Sequence, residues 1–166
     1  MTTTITARET DVFIGIGSNL ENPKQQVLTA IERLKKLPET HWQGVSQLYG
    51  SRPQGPQDQP DFVNAVAWVR TRLSPLALLD ALQDIERTQG KVKKRHWGER
   101  LIDLDVLLYG ETVIDGPRLQ VPHPFMTERD FVLLPLLDLK PDGCMPDGRS
   151  FQELADRVSD VFVKPI

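Results

Sequence analysis

At 166 residues, 39% of them hydrophobic, the chain is long enough to bury a core and is expected to form a single domain spanning 1–166. A formal net charge of −3 argues against a general nucleic-acid binder, since such modules carry a basic excess. No apolar run approaches the ~18–20 residues that cross a bilayer, residues 1–10 lack a signal-peptide core, and one cysteine excludes an internal disulfide. A cytoplasmic protein without membrane contact is expected, with Cys144 an inert thiol because Gly143, Met145 and Pro146 offer it no activating His or acid.

In chain order, Val12-Phe13-Ile14-Gly15-Ile16-Gly17 reads as a buried strand whose glycines mark a close approach to the backbone. The segment lacks the Lys-Ser/Thr of a phosphate-binding loop and the third glycine of a dinucleotide fingerprint, so its role reads as structural. Asn22 as N-cap, Pro23 at the first helical position and Gln25 three residues after the cap open a helix that Pro38 closes. Val27, Ile31, Leu34 and Leu37 line its apolar stripe. Residues 42–49 and 62–69 read as strands. Ser74-Pro75 then starts a second helix, with Leu76, Leu79, Leu82 and Ile85 on one stripe and an end near Gly90. A strand over 101–109, a short hairpin near Val113-Ile114 and helical pieces over 131–139 and 151–158 complete the chain.

The order strand, helix, strand, strand, helix, strand predicts a ferredoxin-like α+β sandwich, βαββαβ, with helices on one face and C-terminal helical additions. Two connections, 50–60 and 90–100, exceed ordinary turns and read as loops that close over substrates.

The strand over 101–109 carries the chemistry. Alternation puts Asp103 and Asp105 on one face and Ile102, Leu104, Val106 and Leu108 on the other. Two carboxylates so placed repel each other, and a hard cation such as Mg²⁺ between them relieves the repulsion. The competing reading is an acidic strand edge that discourages aggregation. Upstream, Lys91, Lys93, Lys94, Arg95 and Arg100 give five fixed positive charges in ten residues and tilt the balance toward metal and polyphosphate.

Four segments in order carry a family resemblance: Gly15-Ile16-Gly17-Ser18-Asn19-Leu20, Gly55-Pro56-Gln57-Asp58-Gln59-Pro60-Asp61-Phe62-Val63-Asn64-Ala65, Trp97-Gly98-Glu99-Arg100 with Asp103-Leu104-Asp105, and Val121-Pro122-His123-Pro124. Together they resemble the 6-hydroxymethyl-7,8-dihydropterin pyrophosphokinases of folate biosynthesis, over residues 12–137. The resemblance implies diphosphate transfer from ATP to the pterin hydroxymethyl group with release of AMP. It also implies two Mg²⁺ ions on Asp103 and Asp105, Arg100 as a catalytic phosphate-binding arginine, and a monomer acting on small molecules.

By the same resemblance, Gln83, Glu86, Lys93, Trp97, Arg100, Arg118, His123 and Arg129 contact ATP. Ser51, Gln54, Phe62, Asn64, Trp97 and Phe131 contact the pterin, Phe62 and Phe131 by stacking and Asn64 by its amide. The chain departs from the family pattern at Lys93, where arginine is more frequent, at Phe62, where tyrosine is, and at Pro124, which some relatives replace with an aromatic. A ferredoxin-like RNA-binding module using the 91–97 loop is the rival class, disfavoured by the negative charge and the want of aromatic-rich strands. A catalytically dead pterin or nucleotide binder is the other, disfavoured by the intact acid pair.

Overall fold

The computed structural model describes residues 5–51, 60–90, 101–158 and 163–166. Strand β1 (Ile5–Ser18) leads to helix α1 (Pro23–Leu34), strands β2 (Thr40–Val45) and β3 (Tyr49–Ser51), and the long β4 (Phe62–Leu73). Helix α2 (Pro75–Gln89), β5 (Asp103–Tyr109) and a small hairpin of β6 (Ile114–Asp115) and β7 (Gln120–Val121) follow. A 3₁₀ turn at Met126–Glu128, α3 (Asp130–Leu139), α4 (Phe151–Arg157) and β8 (Val163–Pro165) close the chain.

The main sheet runs β5-β1-β4-β3-β8, with β2 also paired to β4, and every pairing is antiparallel. Strand, helix and crossover order make this the ferredoxin-like α+β arrangement expected from the element order. Period-two alternation assigns each strand's faces, broken in β5 by a register shift opposite Phe13 and Ile14 that puts Leu108, expected beside Val106, on the side of Leu107. Val12, Ile14 and Ile16 of β1, with Ala65 and Ala67 of β4 and Leu104 and Val106 of β5, pack against α1 and α2. Phe13, Val66, Leu107 and Leu108 face the other way, against Val132, Leu133 and Leu136 of α3 and Phe151 and Leu154 of α4. Each buried Leu, Ile or Val contributes ~1.5–3 kcal/mol relative to exposure. The C-terminal helices therefore seal the second face only in part, and the uncovered end of that face holds the acids.

Several local expectations shift for identifiable reasons. Asn22 sits at φ 68° and ψ 64° and makes no side-chain cap. Asparagine tolerates this left-handed region, and Gln26 secures the turn instead by donating from Nε2 to the Glu21 carbonyl at 3.1 Å. The strand expected over 42–49 is split at Ser46. The Ser46 N–H donates to the Val66 carbonyl and its Oγ accepts from the Val66 N–H, both at 2.9 Å. One residue thus supplies both rungs, and the chain jogs from β2 to β3. Ser74 caps α2 as expected, accepting from the Ala77 N–H at 3.3 Å, and Gly90 ends that helix at φ 89°. Strand β8 had no sequence signal.

Candidate active site

A single cross-strand row sets the geometry. Asp103 of β5 stands opposite Gly17 of β1, and Gly17 stands opposite Asn64 of β4; one step along, Asp105 opposes Gly15, which opposes Val66. All these positions share the face that α3 covers only partly. Because β1 presents glycines here, a trough runs between the acids and Asn64, two strand spacings or ~10 Å across. A Cβ on Gly17 would stand 3.1 Å from Asn64 Oδ1, and one on Gly15 would press Leu107 at 3.4 Å. The glycines are a floor.

Above this floor lies a cavity of about 290 Å³. Its walls include Ser51, Phe62, Asn64, Asp103, Asp105, His123, Phe125, Arg129 and Phe131. Phe62 and Asn64 are i and i+2 on β4, so they share its face. Asn64 is buried and donates from Nδ2 to Ser51 Oγ at 2.6 Å. That bond orients the amide, leaving Asn64 Oδ1 to accept and the Ser51 hydroxyl to donate. A flat ring with neighbouring donors and acceptors on its edge is the complement of this wall.

A second cavity, about 520 Å³, opens on the other side of the acidic strand between α2 and the β6–β7 hairpin. Gln83, Glu86, Asp105, Arg118, His123 and Pro124 are among its walls. Arg118 donates from Nη2 to Asp80 Oδ1 at 2.6 Å and to Gln83 Oε1 at 3.3 Å, which anchors the guanidinium to α2. Glu86, expected with Gln83 beside the nucleotide, lines this cavity. It is buried, and its Oε2 accepts the Leu104 N–H at 2.9 Å. Leu104 lies between the two acids, so Glu86 pins the strand that presents them. Its place four residues after Leu82, on the apolar stripe of α2, was the sequence signal for burial.

Asp105 and His123 belong to both cavities. The Phe125 N–H donates to His123 Nδ1 at 3.2 Å, which leaves the neutral ring with its proton on Nε2. Burial, with the Arg129 cation beside it, pushes the His123 pKa down to about 4, against a smaller upward pull from Asp103. The ring is therefore a neutral donor near pH 7. Arg129 was expected beside a nucleotide, yet it lines the first cavity, its guanidinium over the rings of Phe125 at 5.4 Å and Phe131 at 5.5 Å. Burial lowers its pKa, while Asp105, Asp103 and Glu128 hold it up; an arginine stays charged regardless.

Gln54, Lys93, Trp97 and Arg100 lie outside the described residues, as do most of the two long loops. Among the described residues no group of three or more His, Cys, Asp or Glu is placed to hold a metal. Two carboxylates suffice for Mg²⁺, which keeps waters and takes substrate phosphates as further ligands. The donor set fits that ion and would not fit zinc, which prefers nitrogen and sulfur. Sequence reasoning missed Phe125, which lines the first cavity while 43% exposed. An aromatic just after His123-Pro124 in a polar turn was the available sign.

A sequence model of the 7,8-dihydro-6-hydroxymethylpterin-pyrophosphokinase (HPPK) family matches residues 13–141. The chain is 54% identical over 143 residues to the 2-amino-4-hydroxy-6-hydroxymethyldihydropteridine pyrophosphokinase of Pseudomonas aeruginosa, covering 86% of this chain and 88% of that protein. It is 47% identical over 148 residues to the Haemophilus influenzae protein of the same description, covering 89% and 92%. Among solved structures, wild-type Plasmodium falciparum HPPK-DHPS with pterin and p-hydroxybenzoate superposes with a TM-score of 0.75 at 15% identity. That match takes in all of this chain and 47% of the larger one, a likeness of fold.

Proposed function

The chain belongs to the 7,8-dihydro-6-hydroxymethylpterin-pyrophosphokinase family, and from that premise we propose that its two cavities are the two substrate sites. The protein is a pyrophosphokinase of folate biosynthesis that transfers pyrophosphate to hydroxymethyldihydropterin. ATP is the co-substrate of the family. The observation that carries the assignment of sites is the shared wall: Asp105 and His123 line both cavities, so the groups that react meet there.

In this reading the pterin ring enters the smaller cavity between Phe62 and Phe131, its edge on Asn64 Oδ1 and the Ser51 hydroxyl. Its hydroxymethyl group then lies toward Asp103 and Asp105 along the glycine floor. ATP occupies the larger cavity against Gln83 and Arg118, with its phosphates directed to the acidic strand. Asp103 and Asp105 would hold Mg²⁺, two ions by resemblance, and the bound metal would supply charge neutralisation for the triphosphate and a more acidic attacking hydroxyl. His123 donates its Nε2–H to a phosphate oxygen; with Nδ1 already accepting and the pKa far below neutral, it is ill suited to be the base. Positioning and charge neutralisation supply most of the acceleration.

Glu86 supports the reaction by fixing the Leu104 amide, and so the spacing of the two acids. Arg100, Lys93 and Trp97 are proposed to close over the phosphates with the 90–100 loop, and Gln54 over the pterin with the 50–60 loop. Residues 1–166 are proposed to act as one domain and as a monomer, since both cavities are lined within one chain. A cytoplasmic setting is proposed with them; among the described residues no helix is long and apolar enough to cross a membrane.

The test is incubation with ATP, Mg²⁺ and hydroxymethyldihydropterin, reading nucleotide products. AMP that forms only with all three present supports the reading. ADP in its place, or AMP formed without the pterin, overturns it.

A further inference from the structure

Between the two cavities stands a turn of three residues whose members face different ways. Pro124 lines the larger cavity, Phe125 the smaller, and His123 both. Phe125 is bound to His123 twice over. Its N–H donates to His123 Nδ1 at 3.2 Å, and the two rings lie 6.1 Å apart, tilted by 60°. Its ring also lies under the Arg129 guanidinium, which spans from it to Phe131. Phe125 is 43% exposed while lining the cavity, and a flat ligand seated there would cover part of that surface.

We propose that Phe125 is a third aromatic wall of the pterin cavity and that it couples pterin binding to nucleotide binding through His123. The proposal rests on the assignment of the two cavities above. A phosphate held by His123 Nε2–H fixes the imidazole; the fixed imidazole fixes the Phe125 amide through Nδ1 and, through the ring contact, the phenyl group. A phenyl ring already held in place loses less freedom when the pterin arrives. Phe125 therefore acts as a positioning residue: it touches the pterin but no reacting atom. Linkage requires the effect to be mutual, so the pterin tightens nucleotide binding through the same contacts.

The experiment is equilibrium titration of 6-hydroxymethylpterin into the full chain with Mg²⁺, with and without α,β-methylene-ATP, whose bond at the cleavage position cannot break. The same titrations on Phe125→Ala and Phe125→Tyr, with circular dichroism as the check of folding, complete the set. Phe125→Ala is expected to weaken pterin binding about 3- to 10-fold with the analogue present, the range of one lost aromatic contact. Without the analogue it should weaken pterin binding less than twofold, and Phe125→Tyr should restore most of the difference. Equal losses with and without the analogue overturn the coupling, and unchanged pterin affinity in both states overturns the wall itself. Phe62→Ala separates this failure from a failure of the site assignment. If Phe62→Ala weakens pterin binding and Phe125→Ala does not, the cavity stands and this inference falls. If neither does, the assignment of the cavity falls with it.

Discussion

The two cavities are built by different parts of the fold, and under the proposed assignment the contrast accounts for how each would select its ligand. The smaller one, about 290 Å³, is cut into the sheet: its glycine floor and its Phe62 and Asn64 wall are strand positions. Strand pairing fixes such positions, and the Asn64–Ser51 hydrogen bond locks the polar edge before any ligand arrives. The larger one, about 520 Å³, lies between a helix and a two-stranded hairpin, and its wall includes Arg118, an exposed cation paired with Asp80. Rigid shape suits a flat ring, whereas a flexible polyanion is caught by charge. Asp105 is where the two designs join.

The sharpest way to break this contrast is to remove the junction. Asp105→Ala should lower turnover by more than about 100-fold, the scale of one major electrostatic contact in a transition state, with unfolding behaviour little changed. A folded Asp105→Ala enzyme of near-normal activity would mean that the reaction centre lies elsewhere. Glu86→Ala should destabilise the protein by about 3 kcal/mol, because it strands the Leu104 N–H in the interior. Glu86→Gln, which keeps an acceptor, should recover most of that loss in a denaturant titration. Equal behaviour of the two variants would sever Glu86 from the acidic strand.

Binding tests the contrast itself. Phe62→Ala should weaken the pterin by about 1–3 kcal/mol through lost stacking and burial while leaving nucleotide affinity nearly unchanged. Asn64→Ala should behave alike, and calorimetric titration with each ligand separately reads both. Losses shared between the two ligands would show that the cavities are not independent in shape.

The smallest effect concerns pH. His123 has a folded pKa of about 4, below its ordinary 6.5, so the unfolded chain binds the proton more tightly. Its contribution to stability is full above pH 6.5 and is lost as pH falls toward 4, by about 1–2 kcal/mol after allowance for partial solvation. Unfolding free energies at pH 7 and pH 4.5 should diverge less for His123→Asn than for the parent chain. Identical pH slopes for the two proteins would place the proton-linked loss on other groups.

Legibility in the sequence follows how local each cause is. Asp103 with Asp105 and Phe62 with Asn64 share faces by strand alternation, which needs only the spacing. Helix α2 was plain from Ser74-Pro75, its apolar stripe and Gly90. The split at Ser46 depends on Val66, twenty residues away, and strand β8 exists only because β3 offers it an edge. Burial of Glu86 likewise needs Leu104, which no pattern within α2 reveals beyond its place on the apolar stripe. Arg129 was matched by motif to the nucleotide; its position between Phe125 and Phe131 is set by how α3 starts against the sheet.

The glycine floor has a consequence for chemical inhibition. A compound resting on Gly15 and Gly17 would touch backbone, and a point mutation cannot trim backbone. Resistance at those positions would require a larger residue, and the first atom added at Gly17 already meets Asn64 at 3.1 Å. Under the proposed assignment, a change that evicted the drug would thus crowd the pterin from the same surface. An inhibitor drawn toward the Phe125 side chain lacks that safeguard, because a side chain can be trimmed.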